Sequence, residues 1–269
     1  MTSKTQLSLM TLNIRRDRGD DGINNWGFRK DLVAGMLRRR RPDVAVFQEM
    51  LIHQLHDLEA MLPGYEWIGV GRDDGAEAGE FAPVFYRGLT VARSGTFWFS
   101  DTPDVPSCTW PGMTRICTWV EFAGSVPFAL FNVHLEYGFE STQLKSVGLL
   151  QKRLCAYSPD HPVVLAGDFN FNPYTPPYDA LRRFVRDGFH SAPAAEDASS
   201  GRPSSNSATC HEFTGRTQAP QEGAGRIDSI WYRGAAAVSD FAIITEGAGD
   251  PSGVFMSDHW PVTCRLLVG

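Results

Sequence analysis

The sequence lacks any apolar run near the roughly 20 residues that a membrane-spanning helix requires. Its first residues also lack the pattern of a secretory signal peptide, since the apolar residues at 7–14 have the length of a strand. Cysteine is sparse, with five residues at wide spacings and no CxxC pair. An odd number of scattered cysteines indicates reduced thiols rather than a disulfide framework or a structural zinc site. We therefore expect a cytoplasmic protein that does not act in a membrane.

An excess of basic charge is also missing, because the formal net charge is −6. Proteins that grip long nucleic acids usually carry a basic face, since phosphate contacts dominate that affinity. The one basic run, residues 38–41, falls where a predicted helix ends, and cations there complement the helix dipole. The charge balance thus argues weakly against tight, non-specific binding of a duplex.

The hydrophobic fraction of 42% is sufficient for a substantial core. Apolar periodicity predicts helices at residues 26–40, 53–61, 142–156 and 176–185. It predicts strands at residues 7–14, 44–48, 67–70, 82–87, 91–99, 115–122, 126–135, 163–166, 226–232, 238–245 and 260–267. Residues 187–225 are rich in Ala, Ser, Gly and Pro, which predicts a long surface insertion. Many strands and few helices favour two packed sheets with helices outside, in a single domain over residues 1–269.

Polar side chains recur where predicted core strands begin or end. Rigid strands deliver such residues to one edge of a sheet, which is where catalytic groups tend to lie. Carboxylate and amide oxygens suit Mg²⁺ or Mn²⁺, and nearby histidines would stabilise phosphoryl oxygens during attack of water on phosphorus. The residues concerned are Asn13, Glu49, His134, Asp168, Asn170, Asp228, Asp258 and His259.

Seven ordered motifs resemble those of the endonuclease/exonuclease/phosphatase superfamily, which includes DNase I. They are TLNIR at 11–15, FQE at 47–49, GEFAPVFY at 79–86, NVHL at 132–135, GDFN at 167–170, RIDSI at 226–230 and SDHWPV at 257–262. A single GDFN would be weak evidence, but the ordered set spans nearly the whole chain. The resemblance implies a four-layered α/β sandwich with two packed mixed β-sheets flanked by helices.

The resemblance also implies a metal centre that holds Mg²⁺ or Mn²⁺. Glu49 is similar to the main metal ligand of the family, with Asn13 beside it and Asp258 as a second carboxylate on the metal side. Asp168 would orient or deprotonate the attacking water, and Asn170 would hold the phosphate.

Two histidine–carboxylate pairs follow from the same resemblance. His259 would contact the scissile phosphate or act as acid or base, with Asp228 as its partner. His134 would touch a phosphate oxygen, with Glu80 as its carboxylate partner. Such pairing raises the basicity of an imidazole and fixes its tautomer.

Three further residues are expected to contact substrate: Arg15, Arg115 and Tyr86. Arg15 stands where abasic-site endonucleases have an Asp, and in this respect the chain resembles DNase I. An arginine there suits a phosphate or a polyanionic substrate. Tyr86 closes the motif at 79–86.

The resulting hypothesis is a metal-dependent phosphoesterase, expected to be monomeric, that acts on a nucleic acid or a small phosphate. Arg15 favours a phosphodiester and the acidic charge balance favours small or short substrates, so we expect a slight preference for phosphodiesters. The alternative is a phosphomonoesterase that acts on a small soluble phosphate such as a sugar or inositol phosphate. A non-catalytic phosphate-binding module on the same fold, or a hydrolase of another bond such as a glycosidase, remains as an alternative. The insertion, with Arg202, His211 and Arg216, would cap the site and select small substrates.

Overall fold

The computed structural model describes residues 5–191, 204, 207–219, 225–250 and 252–269. Five α-helices lie in this part of the chain: α1 (Trp26–Arg40), α2 (Ile52–Met61), α3 (Glu140–Leu154), α4 (Pro176–Leu181) and α5 (Gly188–Ser191), and a 3₁₀ helix spans Gly22–Asn24. The strands are β1 (Thr5–Asn13), β2 (Val44–Gln48), β3 (Glu66–Ile68), β4 (Val84–Tyr86), β5 (Thr90–Trp98), β6 (Ile116–Ala123), β7 (Phe128–His134), β8 (Val163–Asp168), β9 (Arg186–Asp187), β10 (Asp228–Arg233), β11 (Ala236–Ile243) and β12 (Val262–Val268).

The strands form two mixed sheets of six strands each. The first has the order β11-β12-β1-β2-β4-β3, and the second has the order β5-β6-β7-β8-β10-β9. Strands β1 and β2 run parallel, as do β7 and β8. The other neighbouring strands are antiparallel.

Alternation along the central strands creates the layers. In β2, Val44 and Val46 face the core between the sheets, whereas Ala45 and Phe47 face helices α1 and α2. Strand β8 behaves in the same way, because successive side chains of a strand point to opposite faces. Its residues Val164 and Ala166 join the central core, and Val163 and Leu165 pack toward α3 and α4. The predicted four-layered sandwich of two mixed sheets flanked by helices is confirmed.

Helix α1 shows how local sequence sets an element boundary. Its last turn carries Arg38, Arg39 and Arg40, where positive charge complements the helix dipole. Arg41 adopts the left-handed conformation with φ 45°, and its N–H donates to the Leu37 carbonyl at 2.8 Å. Pro42 follows and cannot continue the helix.

The topology brings several strand ends to one edge of the sandwich. Parallel β1 and β2 end at Asn13 and Gln48, and parallel β7 and β8 end at His134 and Asp168. Strand β10 runs antiparallel to β8, so its first residue, Asp228, lies opposite Asp168. Strand β12 runs antiparallel to β1, which places the residues before it at the same edge.

Most element predictions agree with the structure to within a few residues. The predicted helix at 176–185 ends earlier, at Leu181, and the short strand β9 and helix α5 were not predicted. Residues 192–203, which include Arg202, and residues 205–206 and 220–224 of the predicted insertion lie outside the described residues, so the single-domain assignment stays a prediction. None of the described helices is long and apolar enough to cross a membrane.

Candidate active site

The strand ends line one pocket. It is lined by Arg15, Arg16, Arg18, Glu49, Glu80, Met113, Arg115, Tyr137, Asp168, Asn170, Cys210, Ile227, Asp258 and His259. Eight of the residues singled out in the sequence are in this set. Asn13, His134 and Asp228 are almost fully buried and do not line the pocket, but they contact residues that do.

Three of the pocket residues have an unusual backbone conformation. Arg15, Glu49 and Asn170 have φ values of 59°, 62° and 53°. Each follows the end of a core strand by one or two residues. A residue with a side chain costs about 1–2 kcal/mol in this region, so the surrounding packing must hold these turns in place. The turns redirect the chain immediately after β1, β2 and β8, where the pocket begins.

The Asn13 amide joins the two sheets at the pocket. Its Nδ2 donates to Glu49 Oε1 at 3.1 Å and to Asp168 Oδ2 at 2.9 Å. Its Oδ1 accepts the N–H of Arg15 at 3.0 Å. Asn13 thus orients the two carboxylates from beneath, and its place beside the metal stays a prediction. Burial opposes ionisation of Glu49, yet the Asn13 hydrogen bond and nearby positive charge outweigh it and lower the Glu49 pKa.

Asp168 is buried and lies close to the Asp228 and Glu49 carboxylates. Burial and then the charge of Asp228 raise the pKa of Asp168 to about 7. Its Oδ1 accepts the N–H of Asn170 at 2.9 Å, which fixes the turn after β8. The side chain of Asn170 is held in turn, because its Nδ2 donates to the Leu135 carbonyl at 2.9 Å. A carboxylate with a pKa near neutrality can take up or release a proton at physiological pH.

His259 is placed to carry a positive charge. Its Nδ1 lies 2.8 Å from Asp228 Oδ2. Burial disfavours the imidazolium, but the Asp228 carboxylate outweighs burial, and the pKa of His259 lies well above its ordinary value. The Cys210 thiol on the pocket wall also raises this pKa. The structure thus brings together the predicted His259–Asp228 pair.

His134 has a different partner from the one expected. Glu80 Oε2 lies 3.8 Å from the ring, beyond hydrogen-bonding distance, and it pairs with Arg72 Nη1 at 2.5 Å. Instead, Arg115 Nη1 lies 2.7 Å from His134 Nε2. Because a guanidinium only donates, the facing nitrogen must accept. Burial and then Arg115 lower the His134 pKa well below its usual range, so the ring is neutral. Arg115 therefore lies nearer to His134 than Glu80 does, and Glu80 as the carboxylate partner of His134 stays a prediction.

The remaining predicted arginine, Arg15, is already engaged by carboxylates. Its guanidinium contacts Asp21 Oδ1 at 3.0 Å and Asp258 Oδ2 at 3.3 Å. The strongest effect on the pKa of Arg15 is the hydrogen bond to Asp21, which raises it further above its ordinary value. Arg15 lines the pocket as expected, but much of its charge is neutralised.

The structure does not place Tyr86 with the others. Its ring is buried in the core between the sheets, and its hydroxyl lies 3.3 Å from Glu66 Oε2. Tyr86 pairs with Val44 at the start of β2, whereas Glu49 follows the other end of that strand. Five residues of strand separate the two ends by roughly 16 Å. The prediction that Tyr86 contacts substrate at this site is wrong, because the motif continues into the strand away from the pocket.

The donors on the pocket wall fit a divalent cation with a preference for oxygen ligands. Glu49, Asp168 and Asp258 all open on the same pocket, and the raised pKa of Asp168 marks an excess of carboxylates that a cation would relieve. Among the described residues, ligand atoms of Asp168, Asp228 and His259 lie within 4.8 Å of one another. We favour Glu49 and Asp258 as the ligands, because Asp228 and His259 already hydrogen-bond each other.

Sequence reasoning missed several residues of the wall. Arg16 and Arg18 lie in the turn after β1, and Arg16 Nη1 contacts Glu80 Oε1 at 2.9 Å. Cys210 is also in the wall. Arg16 directly follows a matched motif, and that adjacency was the available signal. Nothing in the sequence places Cys210 beside His259, since 49 residues separate them.

Comparison with known proteins agrees with this architecture. An endonuclease/exonuclease/phosphatase from Bacteroides vulgatus is 32% identical, covers 98% of this chain and 100% of its own, and superposes with a TM-score of 0.87. A mannosyl-6-phosphatase of Bacteroides thetaiotaomicron is 29% identical, with coverage of 97% and 99% and a TM-score of 0.84.

More distant sequence relatives occur in Acanthamoeba polyphaga mimivirus. One uncharacterised protein is 30% identical over 162 residues, which are 55% of this chain and 60% of that protein. A second viral protein is matched over 31% of its length. The family model described as "Endonuclease/Exonuclease/phosphatase family" matches residues 10–259, from the first strand to the histidine of the pocket. The chain belongs to the endonuclease/exonuclease/phosphatase family.

Proposed function

We propose that the protein hydrolyses phosphate esters with the help of a bound Mg²⁺ or Mn²⁺ ion, and that its substrate is a phosphomonoester of a small molecule. The observation that carries this proposal is the continuous set Glu49–Asn13–Asp168 beside the pair Asp228–His259, on the wall of one pocket or directly beneath it. Such an arrangement combines oxygen ligands, a proton acceptor and a cationic hydrogen-bond donor.

The residues that would hold the ion are Glu49 and Asp258, with Asn13 fixing the Glu49 carboxylate. When bound, the ion neutralises negative charge that develops on the phosphoryl oxygens. Ser257 Oγ lies 3.2 Å from Asp258 Oδ1 and steadies the second carboxylate.

The chain's own groups account for the proton transfers. Asp168, oriented by hydrogen bonds from the Asn13 amide and the Asn170 N–H, accepts a proton from the attacking water. His259, held protonated by Asp228, donates a hydrogen bond through Nε2 to a phosphoryl oxygen or protonates the leaving oxygen. Neutral His134 and cationic Arg115 are both buried and contact each other at the base of the pocket.

The charge of the pocket favours a monoester over a diester. A monoester phosphate carries close to two negative charges at pH 7, one more than a diester. Beyond Arg15, the wall presents Arg115, together with Arg16 and Arg18, which contact Glu80 and Asp20. The expected preference for diesters depended on Arg15, whose charge is shared with Asp21 and Asp258. The likeness to a mannosyl-6-phosphatase over 97% of this chain also supports a monoester.

A substrate panel tests the proposal. Purified protein would be assayed with p-nitrophenyl phosphate, bis-p-nitrophenyl phosphate, hexose phosphates, inositol phosphates, nucleotides and single-stranded DNA, with Mg²⁺, Mn²⁺ or EDTA. We expect monoester hydrolysis that disappears in EDTA and returns with either metal, and a loss of orders of magnitude in Asp168→Asn. Full activity in EDTA would rule out the metal, and a clear preference for the diesters would rule out the monoester assignment.

A further inference from the structure

Two loops form one side of the mouth of the active-site pocket. Met113 lies in the loop before β6, and Tyr137 lies in the loop after β7; we call these two residues the rim pair. Both side chains line the pocket, yet 38% of Met113 and 67% of Tyr137 remain exposed to solvent. Among the described residues that line this pocket, Tyr137 is the only Phe, Tyr or Trp. The pocket therefore offers a bound molecule one such ring, and the ring lies at the mouth.

Arg115 connects the rim pair to the base of the pocket. It is buried, lines the pocket, and its Nη1 lies 2.7 Å from His134 Nε2. Its Nη2 lies 4.0 Å from the Met113 sulfur, so the guanidinium and the thioether are in contact. A phosphoryl oxygen that accepts a hydrogen bond from Arg115 therefore has Met113 as a neighbour. The group esterified to such a phosphate begins next to the rim pair, inside the same pocket.

The buried carboxylate of Glu136 fixes the two loops to each other. Its Oε2 accepts the N–H of Met113 at 2.8 Å, and its Oε1 accepts the N–H of Gly138 at 2.9 Å. The loops approach so closely that residue 112 needs to be glycine. Gly112 has φ 109°, and a Cβ there would collide with the Glu136 carboxylate. One buried side chain thus holds Met113 and Tyr137 at fixed positions on the mouth.

The first turn of α3 holds the same loops against the catalytic edge. Gln143 Nε2 donates to the Glu136 carbonyl at 2.7 Å and to the Asn170 carbonyl, in the turn after β8, at 2.8 Å. Thr142 Oγ1 donates to the Pro111 carbonyl at 2.9 Å. The rim pair is therefore ordered before substrate arrives, which reduces the conformational entropy lost on binding.

The chemistry of the rim pair favours a ring over a chain. A tyrosine ring gives a large, rigid contact area, and other rings pack on it offset or edge-on. A methionine side chain adapts to the shape of its neighbour, and its sulfur packs well against rings. Most of the remaining wall consists of arginines and carboxylates, which suit the phosphate and the cation. A short acyclic alcohol would gain little from an exposed ring at the mouth.

We infer that the rim pair is the binding site for the alcohol part of the phosphate ester, and that this part presents the face of a ring to Tyr137. An aryl group and the C–H face of a sugar share this chemistry. The inference rests on the proposed phosphomonoesterase function and adds the class of leaving group. Tyr137 and Met113 are its specificity-determining residues, and Glu136 is a positioning residue that acts through them.

The test compares monoesters whose alcohols do or do not contain a ring. p-Nitrophenyl phosphate carries an aryl ring, glucose 6-phosphate carries a sugar ring, and glycerol 3-phosphate carries neither. We expect Tyr137→Ala to lower kcat/KM for at least one ring ester, relative to glycerol 3-phosphate, by about tenfold. The ester that is affected identifies the ring as aryl or sugar.

Two control variants isolate the ring of Tyr137. Tyr137→Phe keeps the ring and should keep the wild-type ratios. Phe28→Ala removes a side chain of similar exposure, 66%, from α1 outside the pocket wall, and should leave every ratio unchanged. Wild-type ratios in Tyr137→Ala, or an equal loss in Tyr137→Phe, would overturn the inference, because the ring would then not be the group in contact.

Binding to an inactive protein separates this inference from the proposed function. In Asp168→Asn protein with Mg²⁺, calorimetry would measure the Kd of the three esters and of inorganic phosphate, with and without Tyr137→Ala. A weaker Kd for a ring ester, with an unchanged Kd for inorganic phosphate, supports the inference even if monoester turnover fails. Equal weakening for inorganic phosphate would show that Tyr137 contacts the phosphate, and unchanged Kd values throughout would show that it contacts neither part. Either result would overturn the inference.

Discussion

At the scale of single residues, two histidines at and beneath the pocket have pKa values shifted in opposite directions. His259 faces the Asp228 carboxylate and is held protonated, whereas His134 faces the Arg115 guanidinium and is held neutral. Both rings are buried, so burial alone cannot distinguish them. The sign of the neighbouring charge therefore distinguishes the two rings, and in the proposed function His259 is the cationic donor to the phosphate.

The first prediction concerns the carboxylate behind His259. Asp228→Asn removes the charge that raises the His259 pKa, so the ring would be neutral at pH 7. We expect kcat/KM to fall by about 10²–10⁴ with an unchanged circular dichroism spectrum. Asp240→Asn is the matched control, since Asp240 is exposed and its φ of 51° is tolerated by Asn. A wild-type pH–rate profile in Asp228→Asn would contradict the role of this pair.

The second prediction concerns acid stability. Burial lowers the pKa of His211 to about 4, from 6.5 in the unfolded chain. Between these values the unfolded state binds a proton that the folded state excludes, so this residue makes stability fall as pH decreases from about 6.5 to 4. His211→Asn keeps an acceptor for the Gly215 N–H. Urea unfolding at pH 7 and pH 5 should show a loss about 2 kcal/mol smaller in the variant than in wild type. Equal losses would show that His211 is protonated in the folded state.

The sequence was sufficient to predict most of the residues that line the pocket. It was not sufficient to predict which of their side chains contact each other. Asn13, Glu49, Asp168 and His259 end or precede core strands, and parallel neighbours bring such ends together. The partner of His134 depends instead on the distances from this last residue of β7 to Glu80, which precedes β4, and to Arg115, which precedes β6. Motif order carries no information on whether Arg115 or Glu80 lies nearer the ring.

At the scale of elements, strands β7 and β8 approach more closely at Gly167 than a side chain allows. Gly167 has φ 145° and pairs with Val133, and a Cβ there would collide with the Val133 carbonyl. Gly167→Ala should therefore destabilise the fold by at least about 3 kcal/mol and displace Asp168.

Chemical denaturation measures this effect, and Gly148→Ala is its control. Gly148 lies on the exposed face of α3, and a Cβ at this position would have no neighbouring atom within 4 Å. Alanine there should be neutral or stabilise by up to about 1 kcal/mol. Similar stabilities for the two variants would mean that the strands can separate at little cost.

Element boundaries were predictable where a chemical signal marks them. Helix α1 agrees with the prediction because Pro42 ends it, and strand β2 agrees because five apolar or buried residues precede Glu49. Strand β9 has only two residues, too few to show alternation. Helix α4 ends at Leu181 although the apolar pattern continues, because the following residues turn toward β9.

At the scale of the whole molecule, a buried amide joins the sheets near the pocket. Asn132 on β7 accepts a hydrogen bond from Gln48 Nε2 on β2 at 2.7 Å. Its own Nδ2 donates to the Phe47 and Pro83 carbonyls at 2.8 and 2.9 Å. A buried polar group that loses its hydrogen-bond partner lowers the free energy of unfolding by about 1–3 kcal/mol. One substitution here leaves several buried groups without a partner.

The last prediction follows from this contact. Asn132→Ala should lower the free energy of unfolding by about 2–4 kcal/mol and reduce turnover, because the sheets carry different parts of the site. Gln151→Ala, at an exposed position of α3, should change it by less than about 0.5 kcal/mol. Thermal and urea unfolding with parallel assays would check both. Normal stability of Asn132→Ala would imply that water replaces the amide.

The Asn13 amide has a wider consequence, since one NH₂ group grips a carboxylate from each half of the sandwich. Each half of the sandwich supplies only part of the candidate site. A slip of a few tenths of an ångström between the halves would spoil the alignment of Glu49 with Asp168 while leaving each half folded. A small misalignment of the two halves should therefore lower turnover before it lowers the melting temperature.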